Sequence, residues 1–129
     1  MEQPQRSEMG GVGQAIAHDS AHLHVTCEAR YTDDIPELKG TLYAAMGQSA
    51  RAHARVRSLD LSRVLAAPGV VAVMTARDIP GRNDCGPTID DEPILAFDIV
   101  QCVGQALFSV AAETVEQARR AVRLAVVEY

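Results

Sequence analysis

From Thr41 to Gly47 the chain alternates Leu42, Ala44 and Met46 with Tyr43 and Ala45. This period of two predicts a strand buried on one face and partly covered on the other. Ala54 to Leu61 predicts a second strand whose apolar parity slips between Val56 and Leu59, so a bulge or sharp bend is expected there. Ser62 is placed to cap a short helix through Ala67, and Pro68-Gly69 stops it. The unbroken run Val70 to Met74 then reads as a central strand covered on both faces. Pro80 to Asp98 contains Gly81, Gly86, Pro87 and Pro93 among several acids and predicts a long irregular excursion, of the kind that usually touches something. Strand pattern resumes at Ile99 to Gly104 and Ala106 to Ala112. Thr114 to Ala125 is the clearest helix. Thr114 and Gln117 form a capping-box pattern, Val115, Ala118, Val122 and Ala125 share one face, and Glu116 is one turn from Arg120. Leu124 to Tyr129 begins a last strand.

The order β-β-α-β, loop, β-β-α-β predicts an α+β fold, a mixed sheet with two helices in a single domain. At 129 residues the chain has room for one core and no second domain. Met1 to Gln14 carries Pro4, Gly10, Gly11 and Gly13 among polar residues, so residues 1–14 read as a flexible leader and 15–129 as the folded domain. With no Trp, and only Tyr31, Tyr43, Tyr129, Phe97 and Phe108 as aromatics, the core has to be built from Val, Leu, Ile and Ala.

Charge narrows the partners. A formal net charge of −5, a single lysine (Lys39) and dispersed arginines argue against a phosphate backbone as ligand, and the scarcity of aromatics argues against a base-stacking platform. Cys27, Cys85 and Cys102 are odd in number and lack C-x-x-C spacing, which fits neither a disulfide scaffold nor a zinc ribbon and suits reduced thiols. No apolar run approaches the ~20 residues of a membrane span, and the first residues lack a signal-peptide core, so a cytoplasmic protein is expected.

Few residues suggest chemistry. His18, His22, His24 and Cys27 crowd one segment, and on an extended stretch His22 and His24 would share a face as metal ligands do. A fourth ligand at suitable spacing is missing, which favours polar loop residues instead. Asp33-Asp34 and Asp90-Asp91-Glu92 are paired acids, but neighbours on an extended chain diverge, and Asp33-Asp34 better suits turn hydrogen bonds. His53 with Arg55 lacks an accompanying nucleophile or oxyanion motif. Cys85 lies in the loop Asn83 to Gly86 without an adjacent Lys or His to lower its pKa. Gly10-Gly11-Val12-Gly13 precedes no strand-to-helix turn, so no dinucleotide fingerprint is present.

A resemblance goes further than these residues. Glu28-Ala29-Arg30-Tyr31-Thr32-Asp33-Asp34-Ile35-Pro36 resembles the G-E-A-x-Y-x-D-D-I-P phrase that opens the molybdenum-cofactor part of the xanthine dehydrogenase and aldehyde oxidase family. Gly40 to Ala45, Ser49 to Val56, Ala67 to Val73 with Thr75 to Gly81, Asp91 to Ala96, and Val103-Gly104-Gln105 are similar to further phrases of that family in the same order. His18-Asp19-Ser20-Ala21 followed by His24-Val25-Thr26 looks like the opening of bacterial xanthine dehydrogenase large subunits.

The resemblance implies an α/β-hammerhead domain with a structural and assembly role. In the full enzyme it implies purine hydroxylation, hypoxanthine or xanthine to urate, with a molybdenum-pterin cofactor, iron–sulfur clusters and FAD. The implied partners are the remaining molybdenum-binding domains and the iron–sulfur/FAD subunit, with neither nucleic acid nor membrane. Gly104-Gln105 is the phrase most like a cofactor contact. The family's pterin contacts and glutamate base lie in later segments, including a G-G-Q-E-H motif, that do not occur before Tyr129. The resemblance therefore implies no catalytic, cofactor-binding or metal-ligating residue in this chain. Two departures stand out: Cys27 replaces a glycine, which bears on whether that turn keeps a positive φ, and Ala106 replaces a proline after V-G-Q. The competing classes are a free-standing small-ligand or protein-interaction module using the acidic loop 84–98, and an autonomous enzyme using His53 or the paired acids, for which the sequence offers no convergent pocket.

Overall fold

A computed structural model describes residues 13–129. The expected leader, residues 1–14, lies outside the described residues except for Gly13 and Gln14. The chain divides after Glu37 into two compact units, each described by itself.

In the first unit, α1 (Ala21–Val25) is followed by a single 3-10 turn, Thr32–Asp34. Helix α1 closes on Cys27, which takes φ +61°, while Glu28 N–H donates to the Leu23 carbonyl at 2.8 Å. This is the left-handed exit that glycine usually supplies, so the turn keeps its positive φ despite the β-carbon, at a strain cost of order 1–3 kcal/mol. The Asp34 carboxylate accepts the Tyr31 N–H at 2.9 Å and ties the 3-10 turn.

The second unit contains β1 (Tyr43–Gln48), β2 (Ala54–Arg55), β3 (Ser58–Asp60), α2 (Ser62–Leu65), β4 (Val70–Thr75), β5 (Ile99–Val100), β6 (Ala106–Ala112), α3 (Val115–Val122) and β7 (Val126–Glu128). The α+β architecture is as expected. In place of one mixed sheet, the strands form three antiparallel pieces: a three-stranded sheet in the order β1-β6-β4 and the pairs β2-β5 and β3-β7. With α1 the described residues hold three short α-helices, one more than the two expected.

The parity slip between Val56 and Leu59 is a break, not a bulge within one strand. β2 pairs with β5 and β3 with β7, so the chain changes sheets across Val56 and Arg57. β4 is likewise an edge strand and not the central one, a place taken by β6. Its unbroken apolar run reflects a register shift between Val70 and Ala72, which leaves the consecutive residues Val71 and Ala72 both exposed. A second shift, opposite Gly47 and Gln48, gives β6 one extra residue, and Leu107 and Phe108 are both buried. Of the strand expected over Ile99 to Gly104 only Ile99–Val100 pairs, because Gly104 turns the chain at φ +89°.

Helix α3 follows its sequence signals closely. Thr114 Oγ1 accepts the Gln117 N–H at 3.2 Å, and Arg120 Nε meets Glu116 Oε1 at 2.7 Å. It ends at Val122, three residues before Ala125. Ser62 is the first residue of α2 and not its cap; the Asp60 carboxylate accepts the Ser62 N–H at 2.9 Å instead. The core gathers Phe108 and Val110 of β6, Ala121 of α3 and Val64 of α2, with Leu107, Val100 and Ala96. Both helices thus cover the same side of the three-stranded sheet.

Two exposed carboxylates support local turns. Asp78 is held below the ordinary 3.8 by hydrogen bonds from the Thr75 hydroxyl and then the Thr75 N–H, and Asp60 by the N–H and then the hydroxyl of Ser62. A depressed folded pKa means a contribution fully present above the unfolded value and lost as pH falls through the folded one. Asp78→Asn is therefore expected to lower stability at neutral pH and to flatten the acid limb below about pH 4. Urea titrations from pH 7 to pH 2.5 check this; parallel acid limbs for the variant and the parent chain would contradict it.

Candidate functional site

Because the strand period is two, the side of the three-stranded sheet away from the helices carries the other parity. Across the register, Ala44, Ala111 and Ala72 form one row and Met46, Ser109 and Met74 the next. Nothing in these rows is charged. Met46 is 43% exposed and Met74 45% exposed, and Val71 beside them is 58% exposed. An exposed sheet face is ordinarily polar, so an uncharged face with two half-exposed methionines is a surface built to be covered. Small residues at its centre let a partner approach the backbone, and the two flexible methionines can adjust to its shape.

The residues singled out for chemistry are not brought together. His22 and His24 lie on helix α1 and not on an extended stretch, so positions two apart diverge around the axis and lose the shared face. His24 Nδ1 instead lies 3.0 Å from the Tyr31 hydroxyl, and the His18 ring stands edge-on to His24 with centroids 5.5 Å apart. Among the described residues no group of three or more His, Cys, Asp or Glu side chains is placed to hold a metal ion. Asp34 ties the 3-10 turn by accepting the Tyr31 N–H, and Asp33 lies exposed within the same turn.

Loop 80–98 is bracketed internally. Asn83 makes two hydrogen bonds to the Leu95 backbone, at 2.7 and 3.0 Å. Asp84 accepts from Gly86 N–H and Glu92 N–H, and Arg82 pairs with Asp90. Of the acids Asp90-Asp91-Glu92, Asp90 is thus paired within the loop. Cys85 is exposed, and its Sγ donates to the Glu92 carbonyl. Buried Leu95 and Ala96 anchor the loop, with Ala96 N–H donating to the Ala106 carbonyl at 2.7 Å. Arg55 pairs with Asp98 at 3.2 Å, and His53 borders a shallow hollow with Pro93 and Phe97.

The Gly104-Gln105 phrase is occupied with its own fold. Gly104 N–H donates to the Ser49 carbonyl, the Gln105 carbonyl accepts the Ser49 N–H, and Gln105 Oε1 accepts the Gln101 N–H. Every fully buried side-chain polar atom among the described residues has a partner.

No helix among the described residues is long and apolar enough to cross a membrane. Sequence reasoning missed the open sheet face, although the Ala44 and Met46 parity was visible, because the β4 register shift cannot be read from an unbroken apolar run.

Comparison with known proteins agrees with this geometry. Residues 26–129 match the family model described as "Aldehyde oxidase and xanthine dehydrogenase, a/b hammerhead domain". The chain is 45% identical over 118 residues to xanthine dehydrogenase of Oryza sativa subsp. japonica, covering 92% of this chain and 9% of that protein. It is 48% identical over 118 residues to aldehyde oxidase 2 of Rattus norvegicus, covering 92% and 8%. Among solved structures, the aldehyde oxidoreductase from Desulfovibrio gigas superposes with TM-score 0.71 at 32% identity, over 85% of this chain and 13% of that one. A Cu,Mo-CO dehydrogenase superposes with TM-score 0.77 at 31% identity, over 91% and 15%. The chain spans about a tenth of the length of the curated relatives it matches. A match over most of the chain in sequence and in fold places it in a family: this chain belongs to the aldehyde oxidase and xanthine dehydrogenase family and corresponds to its α/β-hammerhead domain.

Proposed function

We propose that this chain is a non-catalytic packing domain of a molybdenum hydroxylase resembling xanthine dehydrogenase, one that converts hypoxanthine or xanthine to urate. The observation that carries the reading is the uncharged sheet face of Ala44, Met46, Ala72, Met74, Ser109 and Ala111, whose opposite side already holds a complete core. A domain with a closed core on one side and an apolar open face on the other gains stability from a partner, not from a small substrate. In this reading residues 15–129 form the hammerhead domain, and it contributes no catalytic, cofactor-binding or metal-ligating residue of its own. The face packs against the remaining molybdenum-binding domains, in an enzyme that also carries an iron–sulfur/FAD subunit and works in the cytoplasm. Support comes from the relatives named xanthine dehydrogenase and from the neighbour whose name includes copper and molybdenum.

The test is native mass spectrometry with metal analysis and pull-down on the reading frame as its host encodes it. The reading expects a large chain with molybdenum and co-purifying iron–sulfur and FAD subunits. A free protein of this chain's size, without molybdenum or those partners, would overturn it and leave an interaction module using loop 84–98 in its place.

A further inference from the structure

A second feature lies within the Leu38–Tyr129 unit, distinct from the residues of the open face. A groove of about 460 Å³ runs between β3, the end of β4 and the segment Ala96 to Asp98. Apolar side chains line it, namely Leu59, Leu61 and the buried Leu107. Arg57 and Arg77 also line it, and neither has an ion-pair partner among the described residues. The one carboxylate in the lining, Asp98, is already engaged by Arg55 at 3.2 Å. Arg77 is held over the exposed Phe97 ring, 5.2 Å from its centroid, which fixes the guanidinium without neutralising it.

The polarity is local and runs against the whole chain, whose formal net charge is −5. Two unpaired guanidiniums beside an apolar lining complement a ligand with a greasy side chain flanked by carboxylates. The bordering strands point to the form of that ligand. β3, which lines the groove with Ser58 and Leu59, belongs to a two-stranded sheet and so has one side without a strand partner, whereas β4 reaches the groove only at Thr75, whose N–H is bound by Asp78. Unpaired strand edges recognise extended backbone.

We propose that this groove binds an extended acidic peptide segment, with an apolar side chain over Leu59, Leu61 and Leu107 and carboxylates on Arg57 and Arg77. The proposal does not rest on the open face or on the enzyme reading, since it uses other residues and asks for no metal.

Fluorescence anisotropy of the 129-residue chain with a fluorescein-labelled five-residue peptide alternating leucine and glutamate tests it. Saturable binding is expected, and it should weaken about tenfold when glutamine replaces glutamate in the peptide, and about tenfold in Arg57→Gln or Arg77→Gln. Arg77→Lys should retain part of the affinity. Both arginines are exposed, so the variants should melt with the parent chain; if one does not, the glutamine peptide on the unmodified chain decides alone. Absence of saturable binding, equal affinity for the two peptides, or displacement of the peptide by benzoate as effectively as by unlabelled peptide overturns the assignment.

Discussion

Phe108→Ala is expected to destabilise the chain by about 3–5 kcal/mol, a large share of the roughly 5–15 kcal/mol that holds a domain of this size together. Phe108 is one of only two phenylalanines and is 2% exposed, so the cavity left by its ring has no larger neighbour to refill it. The same ring explains Gly47, the residue paired with Phe108 across β1 and β6. A β-carbon at position 47 would fall on the Phe108 ring itself, not on the end of a flexible chain. Gly47→Ala is therefore expected to cost about 1–3 kcal/mol through overpacking. Adding Phe108→Leu should relieve part of that cost, so the double variant should be more stable than the sum of the two singles. Urea midpoints of the four chains check this. Strict additivity would mean that the residues do not meet as described.

The second large effect separates folding from assembly. Met74→Asp places a charge in the row Met46, Ser109, Met74, where the isolated chain leaves the side chain near water. Its own melting transition should shift little, within about 0.5 kcal/mol, because surface changes away from caps and core are small. On the proposed reading the same aspartate is buried without a partner in the assembled protein, which costs several kcal/mol and is expected to reduce recovered assembly more than tenfold. Size-exclusion chromatography of the host-encoded protein, with and without the substitution, reads this directly. Equal loss of stability in the isolated chain would instead make Met74 a core residue.

Much of the fold was legible in the sequence where local chemistry decided the structure. Thr114 and Gln117 marked the start of α3 and alternation from Tyr43 to Met46 gave the strand, whereas α2 ends at Leu65, two residues short of the expected Ala67 and ahead of Pro68-Gly69. Long-range pairing was less legible. Nothing in Val70 to Met74 distinguishes a strand covered on both faces from an edge strand with a register shift, because exposure is decided by β6 across the sheet. The change of sheet at Val56 and Arg57 left a trace, the slip in parity, but its meaning depends on where Ile99 and Val127 come to lie.

Of the candidate chemistry, local sequence did not reveal that His22 and His24 wind around α1, or that Asp84 is spent on backbone N–H groups and Asp90 on Arg82. Neither the open face nor the Arg57 and Arg77 groove was visible, since each assembles residues from strands distant in sequence.

The central claim is that the uncharged sheet face is an assembly surface, and hydroxyl-radical footprinting of Met46 and Met74 tests it most directly. Both methionines should be oxidised readily in the isolated chain, in keeping with their 43% and 45% exposure, and should be protected about tenfold or more in the host-encoded protein. Equal labelling of both methionines in the two forms would contradict the account.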